Sequence, residues 1–165
     1  MNNMTAKEIK ERLRKAAELS PSEVIELMAK QRKKPVELSQ KEIEAMMIKP
    51  SQERYIYSVR NIAERGVAWT LKDKKGIVLT GDENGNVFLP IWPYKEYALK
   101  CKLDEWNNCE LKKLSLDNLV DEMLPDLSKE GIKVSVFIIP NEYTSATVSA
   151  EDFLNNLLHE CSKYE

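Results

Sequence analysis

Helical spacing and extended runs occupy separate stretches of this chain. Together they predict an α+β fold, a mainly antiparallel sheet of about four strands packed with helices and preceded by an N-terminal helical extension. Three observations carry that expectation. A Ser or Thr followed three residues later by Glu recurs just ahead of apolar helical spacing. Residues 67–92 read as short extended runs broken by Gly, Asp and Asn. Residues 132–139 form the strongest strand pattern in the chain, which places them centrally in the sheet.

The helix starts are legible from chemistry. Thr5 with Glu8, Ser20 with Glu23 and Ser39 with Glu42 fit the capping box, in which the hydroxyl accepts an orphan backbone N–H and the carboxylate reaches back. Ile9, Leu13, Ala16 and Ala17 then share one face. Val24, Leu27 and Met28 share another, before the basic run Arg32-Lys33-Lys34 and Pro35. A third helix buries Ile43, Met46 and Met47 and stops at Lys49-Pro50. A fourth opens at Ser51, carries Tyr55, Val59, Ile62 and Ala63, and ends at Gly66.

After Gly66 the period changes. Val67 to Leu71, Ile77 to Thr80 and Val87 to Trp92 read as strands joined by the turns at 72–76 and 81–85, so an antiparallel meander is expected. Pro90 cannot donate to a ladder, which predicts an edge strand or a strand end there. Pro93 opens a helix with Tyr94, Tyr97, Ala98 and Cys101. Ser115 caps another, with Leu116, Leu119, Val120, Met123 and Leu124 ahead of Pro125. Ser149 caps the last, whose Phe153, Leu154, Leu157, Leu158 and Cys161 form a wide apolar face.

The bulk numbers bound the function. A chain of 165 residues buries about 70% of its unfolded surface and needs no disulfide or metal to fold. Five glycines are few for a barrel, a sandwich or a phosphate-cradling loop. The net charge of −2 supplies no general pull toward nucleic acid or acidic membranes. That charge is unevenly spread: residues 1–35 hold nine basic and five acidic side chains, and the remainder holds 16 and 22. The first twenty residues lack the apolar run of a signal peptide, and no apolar run exceeds four residues, as at Val136–Ile139. With three cysteines, an odd number, the expectation is a soluble cytoplasmic protein whose cysteines remain thiols.

Ordered landmarks along the chain point to a family. Ser39-Gln-Lys-Glu-Ile-Glu leads to Pro50-Ser-Gln-Glu-Arg-Tyr55. Val67-Ala-Trp69-Thr-Leu leads through Gly81-Asp-Glu-Asn-Gly to Leu89-Pro-Ile-Trp-Pro93 and Glu96-Tyr-Ala. Leu124-Pro precedes Gly131-Ile, the apolar strand, Val148-Ser149 and a terminal amphipathic helix. In that order and spacing they resemble the bacterial family known as domain of unknown function 2750 (DUF2750), over residues 38–165. The resemblance implies a small single-domain bacterial protein and brings no activity, cofactor or catalytic residue with it. Residues 1–37 fall outside the pattern as an added helical pair, which divides the chain into an extension, 1–37, and an α+β domain, 38–165.

Candidate sites are few. Trp69, Trp92 and Trp106 with Tyr94 and Tyr97 form the main aromatic group and the binding candidates. The main expectation is that these rings roof the core between sheet and helices; Trp92, between Ile91 and Pro93 at a sharp change of direction, is the best candidate for an exception exposed to a ligand or protein partner. Asp82, Glu83 and Asn84 could hold a cation, but Val87, Phe88 and Leu89 stand where a calcium loop needs oxygen ligands, so a solvated hairpin is expected. Cys101, Cys109, His159 and Cys161 lack paired knuckles, and residues two apart on a helix point about 200° apart, so no metal site or cofactor is assigned. No phosphate loop, dinucleotide fingerprint or nucleophile elbow appears. The basic runs Arg12, Arg14, Lys15 and Lys30, Arg32, Lys33, Lys34 read as solvated helix faces rather than a nucleic-acid surface.

These readings favour a non-catalytic module that binds a protein or small ligand, with no membrane partner. The alternatives are a small enzyme using carboxylates with Tyr or Cys161, and a nucleic-acid-associated protein acting through residues 1–37. The amphipathic N-terminal helices need apolar cover, which a second copy in a homodimer could supply.

Overall fold

A computed structural model of the chain describes residue 22 and residues 38–140 and 145–163. Apart from residue 22, which is helical, the helices expected from Thr5 and Ser20 and the basic runs lie outside the described residues. The described part is α+β, as the sequence pattern requires.

Helix α1 (Gln40–Met47) starts at Ser39, whose hydroxyl accepts the Glu42 N–H at 3.1 Å, and buries Ile43. Helix α2 (Ser51–Arg65) buries Tyr55, Val59, Ile62 and Ala63 at the expected spacing, and also Arg54 and Ser58. It ends at Gly66, whose φ of 76° suits a residue without Cβ and whose N–H closes on the Ile62 carbonyl.

The strands then divide between two sheets. β1 (Val67–Asp73) lies between β2 (Gly76–Ile77) and β5 (Glu110–Ser115). The other sheet has the order β3 (Thr80–Gly81), β4 (Val87–Ile91), β6 (Lys133–Val136), β7 (Ala146–Ser149). One antiparallel bridge joins the sheets: Trp69 and Trp92 exchange both backbone hydrogen bonds, each 2.8 Å. β6 is internal, as its apolar run requires.

Three expectations need correction or narrowing. The meander does not form, because the run from Ile77 to Thr80 divides between sheets and β4 pairs in parallel with β6. The long stretch between those two strands carries the chain back to the same end, as parallel pairing demands. Next, β4 is internal despite Pro90, although it ends at Ile91, one residue on, in keeping with the other alternative expected there. Ile91 accepts from the Phe137 N–H on the β6 side, so Pro90, one residue earlier, turns its nitrogen and carbonyl the other way. There β3 reaches only Val87 and Phe88, and the Thr70 hydroxyl donates to the Pro90 carbonyl at 2.6 Å, so no N–H is missed.

The helix capped by Ser115 also runs past Pro125. Helix α4 comprises Leu116–Asn118, a π-turn over Leu119–Met123 and Leu124–Glu130. A proline ring normally clashes with the carbonyl four residues earlier. The π-turn, in which the Leu124 N–H bonds to the Leu119 carbonyl, widens the ladder just ahead of it.

Between the sheets' helices, α3 (Lys95–Lys100) buries Tyr97 and Ala98, and a 3₁₀ turn (Asp104–Trp106) follows it. Helix α5 (Ala150–Ser162) is capped by Ser149 onto the Asp152 N–H at 3.0 Å and buries Phe153, Leu157 and Cys161. Leu158 is exposed, so the apolar face is narrower than expected. Tyr55 locks α2 to α5: its ring meets Phe153 at 6.3 Å, and its hydroxyl accepts from Asn156 Nδ2 at 2.6 Å. No described helix is long and apolar enough to cross a membrane.

Trp92 is not the exposed exception; it is buried, as the core-roofing reading expects. The ring is 0% exposed, packs edge-on against Trp106 at 6.1 Å, and donates through Nε1 to the Ile138 carbonyl at 2.9 Å. Burial satisfies a large apolar ring while its one polar atom keeps a partner. Trp92→Ala is therefore expected to destabilise the fold by about 3–5 kcal/mol. Trp92→Phe keeps most of the volume and is expected to cost about 1 kcal/mol, because Cys101 still donates to the same carbonyl. Denaturant unfolding of both variants checks the difference.

Candidate functional site at the carboxyl ends of β4 and β6

The parallel strands β4 and β6 end side by side, and the chains leaving them build a polar aromatic cluster. From β4 the backbone passes through Trp92 and Pro93 to Tyr94, which caps α3, and Tyr97, inside it. From β6 it enters Phe137, a fully buried residue at φ 58°, a left-handed conformation rare outside glycine.

That conformation is held from several sides. The Phe137 N–H donates to the Ile91 carbonyl at 2.8 Å. The Phe137 carbonyl accepts from Nε of Arg54 at 3.2 Å, and Arg54 Nη1 donates to the Lys49 carbonyl at 2.6 Å. Arg54 is 1% exposed, and its guanidinium also sits 5.8 Å over the Phe137 ring. One residue on, the Ile138 carbonyl takes both Trp92 Nε1 and Cys101 Sγ.

Against this frame stand three phenols. Tyr57, Tyr94 and Tyr97 lie 6.0–6.2 Å apart, ring to ring, and Tyr97 packs on Phe137 at 4.4 Å. The Tyr57 hydroxyl donates to Glu42 Oε2 at 2.8 Å and lies 2.9 Å from the Tyr97 hydroxyl. Tyr57 has one proton, and Glu42 takes it, so Tyr97 donates to Tyr57. The relay runs Tyr97 to Tyr57 to Glu42. Tyr94 donates to Asn61 Oδ1 at 2.9 Å, while Arg65 stacks on the Tyr94 ring at 4.1 Å and reaches the Pro93 carbonyl at 3.4 Å. Nε of Arg65 is buried and has no hydrogen-bond partner among the described residues; the ring beneath the guanidinium offsets part of that cost.

Burial sets the protonation. It drives the Tyr57 hydroxyl far above the usual phenol range, with the bonds to Tyr97 and Glu42 adding to the rise. Burial likewise raises Tyr97 to about 12, and raises Tyr94 against the opposing pull of Arg65. Near neutral pH these groups are uncharged hydrogen-bonding partners, poorly suited to act as bases or nucleophiles. The Cys101 thiol is pushed to about 12, again chiefly by burial, and Cys109 is also raised.

The other candidates lie elsewhere. Trp69 and Trp106 are half-buried, Trp69 on β1 and Trp106 in the 3₁₀ turn. Asp82 accepts from the Asn84 and Asn86 N–H groups and from Asn86 Nδ2, which hold its carboxyl below the usual range. It is the clasp of the β3–β4 hairpin. Cys101, Cys109 and Cys161 are buried and form no disulfide, whereas His159 is exposed on α5. Among the described residues no group of three His, Cys, Asp or Glu stands close enough to hold a metal ion. Of the aromatic residues picked out from sequence, the fold thus brings Tyr94 and Tyr97 together and pairs Trp92 with Trp106.

The remaining members of the cluster, Glu42, Arg54, Tyr57, Asn61, Arg65 and Phe137, escaped the sequence reading. One signal pointed to three of them: Tyr57, Asn61 and Arg65 recur every four residues and so share one face of α2.

Comparison with protein families agrees with the expected resemblance. A family model described as protein of unknown function (DUF2750) matches residues 55–157, more than half of the chain. The chain belongs to the DUF2750 family. A search of curated proteins finds no match. The stretch matched to DUF2750 contains Tyr57, Asn61, Arg65, Tyr94, Tyr97 and Phe137, whereas Glu42 and Arg54 precede it.

The raised phenols make a checkable prediction. A folded-state value above the unfolded value of about 10 means stability that is complete below about pH 10 and lost as pH rises past about 12. Of the six tyrosines, Tyr55, Tyr57, Tyr94 and Tyr97 carry raised values. At about pH 10.5 Tyr57 and Tyr97 are expected to keep their protons in the native protein and to ionise once it is denatured. Phenolate absorbance in native and denatured samples measures this.

Proposed function

We propose that this DUF2750 protein is a non-catalytic interaction module of the bacterial cytoplasm, built from an α+β domain, 38–165, and an N-terminal extension, 1–37. The recognition surface is the end of the β4–β6 pair, centred on Tyr57 and Tyr94. The observation that carries the reading is the state of these phenols. Both are half-buried, fixed by hydrogen bonds and kept neutral by burial. Rigid amphipathic rings with a hydroxyl at the rim contribute contact area at little entropic cost, and that is how Tyr serves at binding hot spots. Tyr97 and Trp92 act beneath the surface as support, and the half-buried Trp69 and Trp106 are further aromatic candidates outside the phenol cluster. Three buried cysteines outside any disulfide suit a reducing compartment.

The test is recovery of partners with the tagged full-length protein from its bacterial host. Tyr94→Ala and Arg65→Ala are expected to weaken capture of a specific partner by about tenfold or more, with melting temperature lowered by only a few degrees. Undiminished capture by both variants contradicts the proposal.

A further inference from the structure

We propose, resting on the recognition surface just described, that Tyr57 and Tyr97 form a carboxylate-binding site whose present occupant, Glu42 on α1, is an internal stand-in. An acidic side chain on an amphipathic helix of a partner protein takes its place.

Direction of the relay is the first ground. With a carboxylate oxygen on Tyr57, both phenols can donate in one line, Tyr97 to Tyr57 and Tyr57 to the carboxylate, so the pair is satisfied best by an anionic acceptor at that position. A cation is the wrong guest here, because the Tyr94 ring face is already taken by Arg65.

The second ground is how lightly α1 is held. Ile43 is its only buried side chain; Met46 and Met47 are partly covered, and Ile48 directly after it is 85% exposed. An element with so little buried apolar surface opens at low cost compared with the core. Its far end is pinned, since Arg54 holds the Lys49 carbonyl and Pro50 starts α2. A swing at Ile48–Lys49 therefore uncovers Tyr57 without disturbing the helix that carries it.

The chemistry of the stand-in is the third: Glu42 is an exposed carboxylate on an amphipathic helix, and it reaches the phenol pair from α1. The stand-in also specifies the guest: a helix with Glu followed by Ile at the next position and Met one turn later, as in Glu42, Ile43 and Met46.

The test uses a fluorescently labelled synthetic peptide of residues 38–50 as probe, titrated by anisotropy into the full-length chain. Wild type is expected to bind it weakly, because the tethered α1 competes at high effective concentration. Full-length Ile43→Ser, which loosens α1, and Glu42→Gln, which changes an exposed side chain, are expected to bind it about tenfold more tightly. The same peptide carrying Gln at position 42 is expected to lose that gain, and so is a chain that adds Tyr57→Phe.

Circular dichroism establishes that the variants are folded; if Ile43→Ser is not, Glu42→Gln carries the comparison. Equal binding of the Glu and Gln peptides, or no gain in a folded variant, overturns the proposal. Self-association of Ile43→Ser in sedimentation also overturns it, because a second copy would then be the guest. If the peptide fails while Tyr94→Ala still loses its native partner, only the stand-in falls. If both fail, the recognition surface falls with it.

Discussion

Leaving β6, the backbone must turn sharply at a residue that is neither Gly nor Asn. Phe137 at φ 58° is a conformation that costs about 1–2 kcal/mol for an L-residue, and it persists only because its surroundings over-determine it. Four donors and acceptors close around two peptide units there: Arg54 and Ile91 on Phe137, Trp92 and Cys101 on Ile138. Arg54 is the unusual member. Burying a guanidinium is expensive, and it is tolerated where carbonyls and a ring face replace the lost water. In return, α2, the α1–α2 connection and the end of β6 are tied at one point, and Tyr97 has a fixed ring to pack against.

The site follows from that tie. β4 and β6 run in parallel, so the chains leaving them emerge together, one into Phe137 and the other into Tyr94 and α3. Helix α2 presents Tyr57, Asn61 and Arg65 along the same edge. The same burial that stabilises the rings keeps their hydroxyls protonated near neutral pH. The DUF2750 match covers the strands and helices that build most of this edge.

Much of this architecture was legible in the sequence because local chemistry decides it. Ser39, Ser115 and Ser149 cap their helices through the expected side-chain bonds, and Gly66 ends its helix in the left-handed conformation. What escaped depends on tertiary partners. β5 carries Leu111 and Leu114 among charges without strict alternation, and β7 is four short residues, so neither announces a strand. Parallel pairing of β4 with β6 has no local signature, and neither does the π-turn that lets α4 pass Pro125. Arg54 in Gln-Glu-Arg-Tyr reads as a surface charge, and nothing in Val-Phe-Ile-Ile-Pro marks Phe137 as left-handed. Trp92 illustrates the limit: its junction was visible, but whether its ring faces in or out was set by a carbonyl 46 residues away.

Amide hydrogen exchange of the native full-length protein, resolved at single residues, tests most directly whether the Phe137 turn is the point on which the rest is built. If it is, the Phe137 amide exchanges as slowly as those of Val134 and Val136 in β6, opening only with global unfolding, while the amides of α1 exchange much faster. A Phe137 amide that exchanges as fast as those of α1 would contradict the account.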